Sequence, residues 1–238
     1  MEKTPPETFE IQDCALSSPL PANMVLVVGA GHFGKRAVGI LRKREGTPLL
    51  VVEKDETAIS ISDDDFLLYT ALCDGASFLI QNFSRLHPEN FIIPAVPLHL
   101  AFEWAKGLLQ ATHHPVTLPV PENILPSLPY TWKGADGSLL VSYADFRCPD
   151  DCPEPADHCT VTGKPRPMPL FKLLGGLEIR DFAIHIIRSR QIAPGLGGYR
   201  VKDMIQLLEK VRKGKARKWL IGTACRCHGV LNALELHP

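Results

Sequence analysis

The run Met24-Val25-Leu26-Val27-Val28, followed at once by Gly29-Ala30-Gly31-His32-Phe33-Gly34, constrains the fold of this chain more than any other stretch. A continuous apolar run has no polar face, so it predicts a strand covered on both sides, as in a parallel sheet. Helical spacing begins directly afterwards. Ala37, Val38 and Leu41 share one face of a helix expected over Gly34–Arg44, and Lys35, Arg36, Arg42 and Lys43 share the other. Gly46 ends that helix, and Pro48–Glu53 is expected as a second strand. Strand, glycine turn, helix and strand within about 30 residues make one βαβ unit.

The three glycines of such a turn have separate tasks. Gly29 lets the chain bend sharply out of the strand, Gly31 leaves room for a pyrophosphate against the backbone, and Gly34 lets the helix approach the strand closely. The helix N-terminus then offers unpaired N–H groups and partial positive charge to an anion. His32 and Phe33 fill the variable positions of the turn. Glu53, about 20 residues farther on, ends the second strand, where a carboxylate accepts hydrogen bonds from ribose hydroxyls and repels the extra phosphate of NADP. Lys54 beside it offsets part of that repulsion. The expected ligand is the dinucleotide NAD(H). The expected fold is α/β: a Rossmann-like, doubly wound, mainly parallel sheet with a cysteine-rich loop insertion.

Residues 24–34, together with Val51-Val52-Glu53-Lys54-Asp55, resemble the NAD-binding TrkA-N domain of potassium-uptake regulators, the RCK-type fold. The resemblance spans about residues 24–80. It implies a regulatory or sensor module that binds NAD(H), changes shape and acts on a protein partner or as a homodimer. It also implies that Asp74, in Cys73-Asp74-Gly75, lies near the adenosine.

A second chemistry is written farther along. Cys148, Cys152 and Cys159 fall within twelve residues, and Cys225 and Cys227 flank Arg226 just before His228. Thiolates are soft donors suited to zinc or iron–sulfur clusters. The gaps match neither zinc-ribbon pairs nor ferredoxin spacings. Cys148, Cys152 and Cys159 with one of Cys225 or Cys227 would make a [4Fe–4S] or zinc site, and unliganded thiols or a redox pair stand as the alternative. If a metal is bound, the second reading of the chain is an NAD-linked oxidoreductase built around it. Cys14 and Cys73 stand apart and are expected as isolated core or surface residues.

Lysine plus arginine and aspartate plus glutamate both number 26, so the net charge is zero, and neither a nucleic acid nor an anionic membrane is an expected partner. No apolar run reaches membrane-spanning length, and the N-terminus lacks a signal pattern, so a cytoplasmic location without disulfides is expected. The organisation expected is an irregular arm over 1–22, a dinucleotide-binding region over 23–137, and a second α/β half over 138–238 with the cysteine-rich loop at 147–170. Further expected elements are helices at 63–69, 76–86, 98–110, 201–212 and 230–236, and strands at 91–95, 138–143, 179–187 and 219–222. Residues 111–137 are expected as a long connection or lid. Pro194-Gly195-Leu196-Gly197-Gly198, with Arg200 after it, is expected as a strand-to-helix turn with room for a second anion. His185 is expected as a strand histidine, His113 and His114 as solvated, and the basic run Lys210–Lys218 as a solvated helix end.

Overall fold

Apolar runs bare of polar side chains on either face become the parallel strands that carry the first half of the molecule. The computed structural model describes residues 11–12, 14–58 and 67–238. It is a mixed α/β structure whose two compact units divide between Val96 and Pro97, whereas composition suggested a division near residue 137.

In the first unit, β1 (Ile11–Gln12) and β2 (Ala15–Leu16) form a short antiparallel pair. Then follow β3 (Val25–Val28), α1 (His32–Leu41), β4 (Leu49–Glu53), β5 (Leu68–Leu72), α2 (Gly75–Gln81) and β6 (Phe91–Pro94). Strands β6, β3, β4 and β5 lie side by side in that order, every pair parallel. Leu26, Val27, Val28, Leu50 and Val51 have no exposed surface, as two-sided cover requires. Helix α1 buries Gly34, Ala37, Val38 and Leu41, the face that its spacing predicted.

Three expectations for this unit change. Residues 1–10 and 13 of the supposed arm lie outside the described residues, but the rest of it is tied down. Cys14 and Cys73 form a disulfide across 59 residues, Leu16 and Leu20 are buried, and the Asn82 side chain bonds Leu16 N and Cys14 O at 2.8 and 2.7 Å. The two cysteines expected to stand apart are therefore a pair. Of the helix expected over 63–69, positions 63–66 lie outside the described residues, while Leu68–Leu72 is strand β5. Tyr69 and Thr70 suit a pleated surface, and the parallel ladder to β4 satisfies their backbone.

The second unit comprises α3 (Leu100–Leu109), β7 (His114–Leu118), β8 (Tyr130–Lys133), β9 (Leu139–Ser142), α4 (Leu170–Gly175), β10 (Phe182–Arg188), β11 (Arg190–Ala193), β12 (Leu196–Arg200), α5 (Val201–Lys213), β13 (Lys218–Ala224) and β14 (His228–His237). Its main sheet runs β10-β13-β14-β9-β8, with β7 also on β14. Only β10 and β13 are parallel in it. Strand β14 organises this sheet. One edge pairs with β13 over Gly229–Glu235, and the other pairs first with β9, over His228–Leu231, and then with β7, over Ala233–His237. Asn232 sits where the partner changes, and its buried side-chain oxygen lies 2.8 Å from His99 Nδ1. Burial above all drives the His99 pKa down to about 4, so the ring is neutral.

This strand replaces the helix expected at 230–236. Leu, Ala and Glu favour a helix, but a strand flanked on both edges and buried at Leu231, Ala233 and Leu234 is fixed by its neighbours rather than by propensity. The supposed connection 111–137 likewise contributes β7, a 3₁₀ turn over Glu122–Ser127 and β8. Helix α4 covers a core of Leu139, Val141, Leu220 and Leu231. Among the described residues no helix is long and apolar enough to cross a membrane.

Candidate functional site

The glycine turn follows β3 and Glu53 ends β4, so parallel pairing brings both to the same edge of the sheet. Each glycine is distinct. Gly29 has φ +104°, and a Cβ there would lie 2.5 Å from the Ala95 carbonyl oxygen. A Cβ on Gly34 would overlap the Gly29 carbonyl oxygen. A Cβ on Gly31 would meet nothing within 4 Å. Two glycines are thus demanded by packing, and the third faces open space.

Gly31 is also the N-cap of α1. No side chain caps that helix, and its first turn holds no acidic residue, so an anion there meets no carboxylate from the helix itself. Phe33 is half exposed, its ring edge-on to His32 at 5.1 Å. Glu53 turns its carboxylate into the turn. Oε2 accepts from Ala30 N at 2.6 Å, and Oε1 accepts from Lys54 N at 2.8 Å and Asp55 N at 3.0 Å. Burial raises its pKa, but the amides of Ala30, Asp55 and Lys54 outweigh that and hold it below the usual glutamate value. A carboxylate has about four acceptor sites; three are filled here, leaving one on Oε2. Lys54 is exposed and contributes its amide. Asp74 caps α2, accepting from Ser77 N at 2.9 Å.

The cysteine segments converge in the second unit. The turn between β13 and β14 aims two amides at one sulfur: Cys227 N at 3.4 Å and His228 N at 3.3 Å from Cys225 Sγ. His228 reaches back towards the loop, its Nε2 3.5 Å from Cys148 Sγ. The Thr162 hydroxyl and the nearby Thr162 and Val161 amides lower the Cys159 pKa. Burial, then the nearby Cys152 and Cys159, push the Cys148 thiol up, with Arg166 opposing. Burial and Glu154 push Cys225 far up. Burial lowers His228. Cys152 Sγ lies 3.7 Å from Thr160 Oγ1. Cys227 contributes its amide to the Cys225 sulfur. Among the described residues no three His, Cys, Asp or Glu side chains are placed as a group around one metal position.

Sequence reasoning passed over Arg166. Its Nε donates to His158 O at 2.8 Å, and its Nη1 is buried without a hydrogen-bond partner. It acts electrostatically on Cys148, Cys159, Cys225 and His228 alike. The same loop also carries Arg147 and Lys164, so composition does not single Arg166 out. The second glycine stretch is no helix-start cradle. Pro194 and Gly195 turn the β11–β12 hairpin, and Gly195 N is bonded to Cys152 O at 2.8 Å. A Cβ on Gly195 would overlap the Asp150 carbonyl oxygen, so that glycine serves close loop packing. His185 is buried in β10, and burial, then Lys210, lowers its pKa to about 4.

A family model described as "Uncharacterized protein, C-terminal domain" matches residues 101–237. A protein of Archaeoglobus fulgidus, described as "Uncharacterized protein", is 28% identical over 222 residues, 89% of this chain and 99% of its own length. A solved structure of a candidate methyltransferase from Thermoplasma acidophilum aligns with a TM-score of 0.28 and 18% identity, over 43% of this chain and 59% of that one.

Proposed function

The chain belongs to the family whose model covers its residues 101–237, and we propose that its first unit is a Rossmann-type domain that binds NAD(H) as a regulatory or sensor module. One observation carries the reading: the open space at Gly31, at an uncapped helix start, between two glycines that packing demands. A turn needed only for packing has no use for the middle glycine, whereas a diphosphate does.

The Glu53 carboxylate supplies the second contact. Its remaining acceptor site on Oε2 suits one ribose hydroxyl, and its charge disfavours a 2′-phosphate. Phosphate oxygens would accept from the first-turn amides of α1. Asp74 reaches the adenosine in this reading only by sharing a carboxylate that already caps α2. The regulatory role rests on the resemblance of residues 24–34 and 51–55 to the TrkA-N domain.

Calorimetric titration of the full chain with NADH and NADPH tests the proposal. Saturable binding of NADH, tighter than NADPH, is the expected result. Absence of NADH binding overturns it.

A further inference from the structure

The second unit gathers thiols that the nucleotide reading does not use, and we infer that Cys148, Cys152, Cys159 and Cys225 hold a thiophilic metal, zinc or iron in a cluster, with Arg166 against the bound thiolates. Three features carry this. The first is a pair of matched turns. In Cys225-Arg226-Cys227-His228-Gly229 the amides two and three residues on bond the cysteine sulfur, and in Cys159-Thr160-Val161-Thr162-Gly163 the amides at the same two offsets lie near enough to favour the thiolate. Each has glycine at the fourth position after the cysteine, with φ +67° at Gly163 and, at Gly229, no room for a Cβ beside Ala224. Amide donors to sulfur strengthen when the sulfur is anionic, and metal ligation is what makes it so.

The second feature is Arg166. A buried guanidinium Nη1 without a partner is costly. A set of four metal-bound thiolates is an anion at the right place, since Arg166 already feels Cys148, Cys159 and Cys225. The guanidinium offsets the negative charge that such a site adds to a loop already carrying Asp150, Asp151 and Asp157. Glu154 accepts from Arg226 N at 2.6 Å and also lies against the Cys225 thiol, so its carboxylate adds to the negative charge that Arg166 offsets.

The third feature is anchoring. The Cys152 carbonyl is held by Gly195 N and by Gln191 Nε2, at 2.8 and 2.7 Å. The Cys225 and Arg226 carbonyls accept from Phe171 N and Leu170 N. Segments 80 residues apart are thereby kept within reach, with Cys148 and His228 in contact. Among the described residues the four sulfurs do not yet surround one position, so binding requires the exposed loop between Cys148 and Cys159 to move. Cys225 rather than Cys227 is the fourth ligand, because its sulfur is the one that the amides face. Soft sulfur donors exclude a hard cation such as calcium or magnesium.

The inference rests on the second unit alone, so NADH binding neither supports nor weakens it. Iron and zinc are measured by plasma mass spectrometry on the full chain purified without oxygen, with a visible spectrum. The expected result is either about four irons per chain with broad visible absorbance, or about one zinc and no colour. Cys225→Ser and Cys159→Ser are expected to lose the metal, and Cys227→Ser to keep it. A metal-free wild-type protein, or wild-type metal content in Cys225→Ser, overturns the inference. Should the serine variants fail to fold, alkylation of the native wild-type protein decides. Protection of Cys148, Cys152, Cys159 and Cys225 until a chelator is added supports the site; equal labelling of all five free cysteines without chelator refutes it.

Discussion

Replacing Gly31 by valine separates a turn that merely packs from one that faces a ligand. The backbone at Gly31 is extended, with φ −67° and ψ −163°, a conformation open to any residue, and no atom lies within 4 Å of the added Cβ. The cost to the fold is therefore confined to a poorer N-cap, about 1 kcal/mol or less. In a unit of this size that lowers Tm by a few degrees, roughly 4–8 °C per kcal/mol. The bound state fares differently. The branched side chain occupies the space that a diphosphate would take, and overpacking of that kind costs about 1–3 kcal/mol. NADH affinity should fall roughly 5- to 150-fold. Calorimetry gives the affinity, and thermal unfolding of the same sample shows that the fold survives. A folded Gly31→Val protein that binds NADH as tightly as the wild type would refute the assignment of that space to the phosphates.

Gly34→Ala should do the reverse, destabilising the first unit by about 1–3 kcal/mol because its Cβ overlaps the Gly29 carbonyl oxygen; an unchanged Tm would contradict the close packing described. Glu53→Gln exchanges a charge-assisted acceptor for a neutral one and should weaken NADH binding by about 1 kcal/mol, roughly fivefold, measured by calorimetry. Because the folded pKa of Glu53 lies below the usual 4.5, its ionised form stabilises the fold above that value, and this contribution is lost as pH falls through the lower folded pKa. Wild-type Tm should therefore drop more steeply than that of Glu53→Gln in acid below about pH 4.5, and parallel acid limbs would count against the three amide bonds. Cys73→Ser, or reductant, should cost the first unit about 4 kcal/mol on the chain-entropy estimate for a closed loop of 59 residues. A Tm insensitive to dithiothreitol would show that the bond does not form.

The parallel part of the first unit was legible because several signals agree there: an unbroken apolar run, glycines at fixed offsets and a helix whose apolar positions recur on one face. Glu53 was found because its place is set by the end of a strand, which the same pattern delimits. Strand β14 was hidden because Leu231-Asn232-Ala233-Leu234-Glu235-Leu236 carries helix-forming residues, and only its neighbours on both edges decide otherwise. The Cys14–Cys73 pair and the guanidinium of Arg166 share one cause of invisibility. Each gains its meaning from a residue far away in the chain, and neither spacing nor composition reports such a meeting.

The position of β14 has a consequence for synthesis. It follows every other strand of its sheet in the chain, yet it alone joins β13 to β9 and β7. While a ribosome is still making it, β9 has only β8 beside it and β7 has no partner in the sheet, and β7 waits for more than a hundred residues. The four parallel strands of the first unit are all made by Pro94, before β7 begins, so the two halves meet opposite conditions during synthesis: strands available early in one, a central strand that comes last in the other.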